Sequence, residues 1–130
     1  MKPTWAAEID YDLLCESLPN VDPATVRFRR APRLMWFIRR FFLPTARAIT
    51  LPWGVYLHPD AYPQASSARL LVHELAHVEQ WRRLGILGFL RRYLGDYGRA
   101  RLKGTPHQAA YRAISLEVEA GRLSAFVCGP

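Results

Sequence analysis

The chain is poor in cysteine, lysine and acidic residues, and has no long apolar run. Each scarcity narrows what it can be. Its two cysteines, Cys15 and Cys128, stand near opposite ends without CxxC spacing, which excludes a zinc ribbon and a dithiol redox motif. Eleven acidic residues face eighteen basic ones, giving a formal charge of +7 and a pI near 10. Nearly all the basic charge is arginine, which favours contact with phosphate, carboxylate or an anionic surface. The apolar run Leu34-Met35-Trp36-Phe37-Ile38 stops at Arg39-Arg40, far short of the roughly 20 residues that span a bilayer. The first thirty residues carry Glu8, Asp10, Asp12 and Glu16, without a basic start, an apolar stretch and a cleavage site. No signal peptide and no transmembrane helix are expected, and the cytoplasm is the expected location.

Half of the 130 residues are hydrophobic and 12% are aromatic, enough to build one modest core. There is no internal repeat or low-complexity linker, so a single domain is expected over residues 1–130. Residues 7–18 predict a short helix ended by the turn Pro19-Asn20-Val21-Asp22-Pro23, and Val26 to Arg29 a short strand. Leu34, Phe37, Ile38 and Phe41 recur at helical spacing and predict a helix over 33–43, before Pro44. Residues 48–57 predict two short strands bent around Pro52-Trp53-Gly54, at a sheet edge. Ser66 or Ser67 can cap a helix that runs to Leu84 with Gly85 as its stop; being apolar almost all round, it should be central and buried. A glycine-weakened helix follows over 87–102. A last helix should start at Thr105-Pro106-His107-Gln108, with Thr105 as cap, and end near Gly121.

The buried helix carries His73-Glu74-Leu75-Ala76-His77, an HExxH motif. Residues four apart on an α-helix are about 40° apart in rotation, so both imidazoles project from one face and can bind a single Zn²⁺. Glu74 lies about 100° round the helix from His73, where it can miss the metal yet reach the attacking water as a general base. The alternative is a chance match, with both histidines satisfied in the core. A polar triplet inside an apolar helix is costly to bury without a partner, and a metal ion is the obvious one.

A catalytic zinc site normally has three protein ligands. The HExxHxxGxxH pattern is excluded, because Gln80 stands at its glycine position and no histidine follows within the next turns. The remaining third ligands are His107, Asp96, Glu117 and Glu119. The helix face around Glu117 includes Ala110, Ala113, Ile114, Ala120 and Ser124, small enough to pack closely on the motif helix. The face around Glu119 includes Arg112, Ser115 and Arg122, with Arg122 as an i+3 ion-pair partner. Helical geometry therefore favours Glu117, with Glu119 next.

His73-Glu74-Leu75-Ala76-His77-Val78-Glu79-Gln80, followed forty residues on by Glu117-Val118-Glu119-Ala120, resembles the gluzincin class of zinc metallopeptidases. In several of its branches the first Glu of an ExxA(D) helix completes the HExxH site. The resemblance implies that His73, His77 and Glu117 bind zinc and that Glu74 is the catalytic base. With the strands of 49–57, the chain also resembles small bacterial metallopeptidase-like domains whose edge strand frames the substrate cleft. The similarity covers about residues 48–121; Gly121 stands where the AD version has Asp, and residues 1–45 form an N-terminal helical region of unknown role. The expected fold is α+β: a minimal zincin-like domain, with a small sheet on the HExxH helix and a core over 46–121 that includes a C-terminal ligand-bearing helix. Tyr93, Tyr97, His107 and Tyr111 are the available donors for an oxyanion.

Arg82, Arg83, Arg91, Arg92, Arg99 and Arg101 interleave with a stripe of Leu87, Leu90, Leu94 and Tyr97, and Arg39-Arg40 stand beside Trp36, Phe41 and Phe42. A solvated face over the core accounts for such a pattern; so does a basic surface lying on anionic lipid. Nucleic acid ranks below the membrane, since no nucleic-acid motif is present. The leading expectation is a zinc-dependent metallopeptidase acting on a peptide or protein. The alternatives are an inactive zinc-binding interaction module and a basic membrane- or nucleic-acid-binding domain.

Overall fold

A computed structural model describes residues 2–59 and 68–129. The fold is α+β, with five α-helices and a three-stranded mixed sheet among the described residues. After a 3-10 turn at Thr4–Ala6, α1 spans Tyr11–Ser17, four residues later at its start than the sequence pattern suggests. The reason is Asp10, which takes the N-cap and accepts a hydrogen bond from the Leu13 amide at 3.0 Å. Strand β1 (Phe28–Arg30) and helix α2 (Pro32–Phe41) follow, so the first 45 residues supply a strand as well as helices.

The expected hairpin is present as β2 (Ala48–Leu51) and β3 (Gly54–Leu57). β3 is central, antiparallel to β2 with Thr50 opposite Val55, and parallel to β1 with Phe28 opposite Val55. β2 is therefore an edge strand, as its proline-rich surroundings imply. Val55 and Leu57 alternate onto the buried face, where they meet Leu71, Val72 and Leu75 of the motif helix and Leu14 and Leu18 of the N-terminal region.

Helix α3 spans Ala68–Leu102 and is two helices joined at Gly85. The Ser66 and Ser67 cap lies outside the described residues. Leu71, Val72 and residues 74–81 are buried, as the all-round apolar pattern requires. Gly85 (φ 74°, ψ 171°) ends the first half, but no loop follows: the second half begins at the next residue. That backbone conformation is essentially restricted to glycine. Trp81 and Phe89 stack across the bend at 3.7 Å between centroids, and Phe89 stacks on Tyr93 at 5.4 Å.

The single last helix expected from Thr105 to Gly121 is instead two, α4 (His107–Arg112) and α5 (Ser115–Cys128). Pro106 takes the α4 N-cap and Thr105 does not cap it. The break comes from Asp96. Its carboxylate accepts from both the amide and the hydroxyl of Ser115, giving α5 an N-terminal partner from another helix. α5 continues past Gly121 because Ser124 and Val127 are buried in the core.

Candidate metal centre

The first half of α3, α5 and β2 build the site together. His73 and His77 project from successive turns, their ring centroids 4.9 Å apart. From α5, Glu117 places Oε1 3.1 Å from His73 Nε2 and Oε2 3.1 Å from His77 Nε2. One ligand atom from each of His73, Glu74 and His77 also falls within 4.8 Å of the others, so this cluster could hold a metal ion. Neighbouring donor atoms of a tetrahedral zinc site with bonds near 2.0–2.1 Å are about 3.3 Å apart, close to the observed spacing.

Hydrogen bonding around His77 tests the fit. The Gln80 side-chain nitrogen donates to the Leu116 carbonyl (2.9 Å) and to Glu119 Oε1 (3.0 Å). Its amide oxygen therefore faces His77 Nδ1, at 2.8 Å, and the imidazole donates from that nitrogen. A neutral His77 then presents a bare lone pair at Nε2, facing a carboxylate oxygen. Two acceptors 3.1 Å apart need a proton or a metal ion between them. Burial alone would lower the His77 pKa, but the hydrogen bond and charge of Glu117, with the charge of Glu74, hold it at about 9. Burial pushes Glu117 up, and its hydrogen bonds to His73, His77 and Tyr93 more than reverse this, leaving it well below the usual carboxylate range. The cluster thus strongly attracts positive charge, and its His₂-carboxylate donor set suits a divalent ion.

Glu74 is buried beside this cluster. Burial raises its pKa, opposed by the charges of His77 and His73. The Thr50 hydroxyl lies 3.3 Å from its backbone oxygen and 3.4 Å from its Oε1, while Trp81 Nε1 donates to the Thr50 carbonyl at 3.0 Å. These bonds fix the edge strand against the motif helix. A cavity of about 270 Å³ lies between β2, α2 and the second half of α3. It exposes Glu74, His77 and Glu117 at one end and is walled by Ile38, Leu51 and Phe89 among others. A second cavity is lined by Arg47, Ala48, His73, Glu74 and Tyr111, so Glu74 borders both.

The other expected residues go elsewhere. His107 is held by the Tyr97 hydroxyl (2.7 Å) and the Phe42 carbonyl, so neither His107 nor Tyr97 joins the cluster. Asp96 sits on a helix and not on the expected glycine-flanked turn, and serves α5. Glu119 accepts from Gln80 and Arg83, both at 3.0 Å, so its cationic partner is Arg83 and not Arg122. Tyr93 and Tyr111 do reach the site. Tyr93 donates to Glu117 Oε2 at 2.7 Å, and burial followed by the Glu117 charge raises the pKa of both phenols. Gln80 and Thr50 also reach the site, and neither belongs to the HExxH motif. The signal for Gln80 was available: a polar residue inside a buried helix needs a partner, and it lies one turn from His77.

Residues 43–85 match the family model described as the eCIS core domain. The match runs through β2, β3 and the first half of α3, ends at Gly85, and is consistent with a small metallopeptidase-like domain. Glu117 lies outside it. No curated protein and no solved structure matches the chain.

Proposed function

We propose that the chain is a zinc-dependent peptide hydrolase, with His73, His77 and Glu117 as ligands and Glu74 as general base. The observation that carries this reading is the Glu117 carboxylate set between the Nε2 atoms of both histidines, 3.1 Å from each. Bound Zn²⁺ would supply a Lewis acid that polarises a carbonyl and brings the pKa of a water down to about 7.

The chain's own residues supply the rest. Residues 45–48, ahead of and entering the edge strand, wall the cavity beside His73 and Glu74, where an extended peptide can lie along β2. Glu74 takes a proton from the attacking water as its oxygen bonds to the carbonyl carbon. It then gives that proton to the amine nitrogen as the C–N bond breaks. Tyr93 donates its hydroxyl hydrogen bond to Glu117 Oε2 and so holds the ligand carboxylate. Tyr111, which walls both cavities and has its hydroxyl beside Tyr93 and Glu117, would donate to the carbonyl oxygen as negative charge develops there.

Metal analysis and a peptide-library assay test this reading together. The wild-type chain should carry close to one zinc per molecule, lost in His73→Ala, His77→Ala and Glu117→Ala. Glu74→Gln should keep the metal and lose cleavage. Absence of zinc in the wild type ends the proposal. Zinc without any cleavage difference between wild type and Glu74→Gln leaves a metal-binding module with no hydrolase activity.

A further inference from the structure

The exposed aromatic surface of α2 is separate from the metal cluster. Trp36 is 63% exposed, Phe37 46%, Phe41 58% and Phe42 54%. These rings form one patch: Phe41 lies 5.0 Å from Phe37 and 6.4 Å from Trp36, and Phe42 5.9 Å from Phe37. Contiguous exposed apolar surface of this kind marks an interaction site more often than scattered single residues do. Ile38 and Leu43 wall the larger cavity from the α2 side, and Leu90 and Leu94 wall it from α3 while also being exposed. The apolar surface therefore reaches across the cavity to the second half of α3, where Leu87 is 71% exposed.

The two chain segments that build this face carry charge of one sign, and the nearby carboxylate of Glu119, on α5, reaches only Arg92 among the arginines named below. Between Asp22 and Asp60 the chain carries seven arginines and no carboxylate, and between Glu79 and Asp96 there is none either. Arg33 and Arg40 are exposed on α2, with the Arg40 guanidinium 5.2 Å from the centre of the Phe41 ring. Arg91 and Arg92 are exposed beside Leu90 and Leu94. Aromatic rings interleaved with arginines match the boundary of an anionic bilayer, where rings enter the headgroup region and guanidinium groups meet phosphate. Among the described residues no helix is long and apolar enough to cross a membrane, so contact would be peripheral.

We propose that the aromatic face of α2, with the exposed leucines of the second half of α3, docks on an anionic lipid surface through Arg33, Arg40 and Arg91. The proposal is independent of the metal reading. Its test is co-sedimentation of the full chain with vesicles of phosphatidylcholine, alone or mixed with phosphatidylglycerol. Binding should require the anionic lipid and weaken as salt rises. Arg33→Gln with Arg40→Gln should weaken it by about 25-fold, roughly fivefold per arginine, and Arg33→Lys with Arg40→Lys should restore most of it. Trp36→Ser with Phe41→Ser should abolish binding while circular dichroism stays native, because both side chains are exposed. Equal binding to both vesicle types, or none to either, overturns the proposal. So does self-association or single-stranded DNA binding that needs the same aromatic residues when vesicles do not bind.

Discussion

Gln80 and His77 share a hydrogen bond of 2.8 Å that decides which imidazole nitrogen faces Glu117. Gln80 is fully buried, and its amide nitrogen is occupied by the Leu116 carbonyl and Glu119, so the side chain cannot turn over without losing two bonds. A groove between α3 and α5 thereby acts as a template for the His77 tautomer. The same bonds link the helix that carries both histidines to the helix that carries Glu117.

Replacing Gln80 with Leu should weaken zinc binding by about 10–100-fold, the usual effect of removing the partner that orients a ligand histidine. Competition against a chromophoric chelator measures it. Glu119→Ala removes one of Gln80's partners and leaves the His77 contact, so its loss should stay under about tenfold by the same comparison. Equal affinities for Gln80→Leu and wild type would show that His77 needs no orienting partner.

The fold was legible where local pattern and burial agree. The HExxH helix, the Pro-Trp-Gly hairpin and α2 all follow from periodicity and turn residues, whereas of the small face expected around Glu117 only Ala120 and Ser124 share its helix, Ala110 belonging to α4. What could not be read locally came from contacts distant in sequence. Asp96 is nineteen residues from the amide it satisfies, and without that contact the stretch from Thr105 to Gly121 reads as one helix. Gly85 is visible as a stop, but the stack of Trp81, Phe89 and Tyr93 that ties the two halves together across it is not. Thr50 reads as an ordinary strand residue until β2 lies against Glu74.

Tyr93 and Tyr111 should separate kinetically. Tyr93→Phe removes a hydrogen bond to the ligand carboxylate, so metal affinity should fall and activity recover when zinc is added in excess. Tyr111→Phe also loses a hydrogen bond to Glu117, so the distinguishing outcome is that its kcat stays lower by about 10²–10³ with zinc in excess and with little change in KM, the pattern of a lost oxyanion donor. If both variants recover fully with added zinc, Tyr111 has no role in the chemical step.

Gly85→Ala isolates the cost of the bend. A Cβ there would meet nothing within 4 Å, so packing does not oppose it and only the backbone conformation does. Destabilisation of about 1–3 kcal/mol is expected in urea unfolding. Relief of the strain by straightening would pull Phe89 off Trp81, so Trp81 fluorescence should change with the stability. A variant within about 0.5 kcal/mol of wild type, the range of an ordinary surface change, would mean that the bend is not a fixed feature in solution.

Asp96 gives the clearest pH dependence away from the metal cluster. Burial pushes its pKa up, but the hydrogen bonds from the Ser115 hydroxyl and amide, and the charge of Arg99, outweigh that and leave it below its ordinary value of 3.8. A carboxyl whose pKa is depressed by folding stabilises the native state above the unfolded-state pKa and loses that contribution as the pH falls through the folded-state value. Asp96→Ala should therefore cost about 1 kcal/mol near neutral pH, as loss of an N-terminal capping partner does. The gap between variant and wild type should narrow as the pH drops below about 4, when the unfolded carboxyl becomes protonated. Urea titrations of both proteins across that range measure the gap directly. A gap that stays constant to the lowest accessible pH would mean that the Ser115 contact persists with a neutral carboxyl and that charge contributes nothing to it.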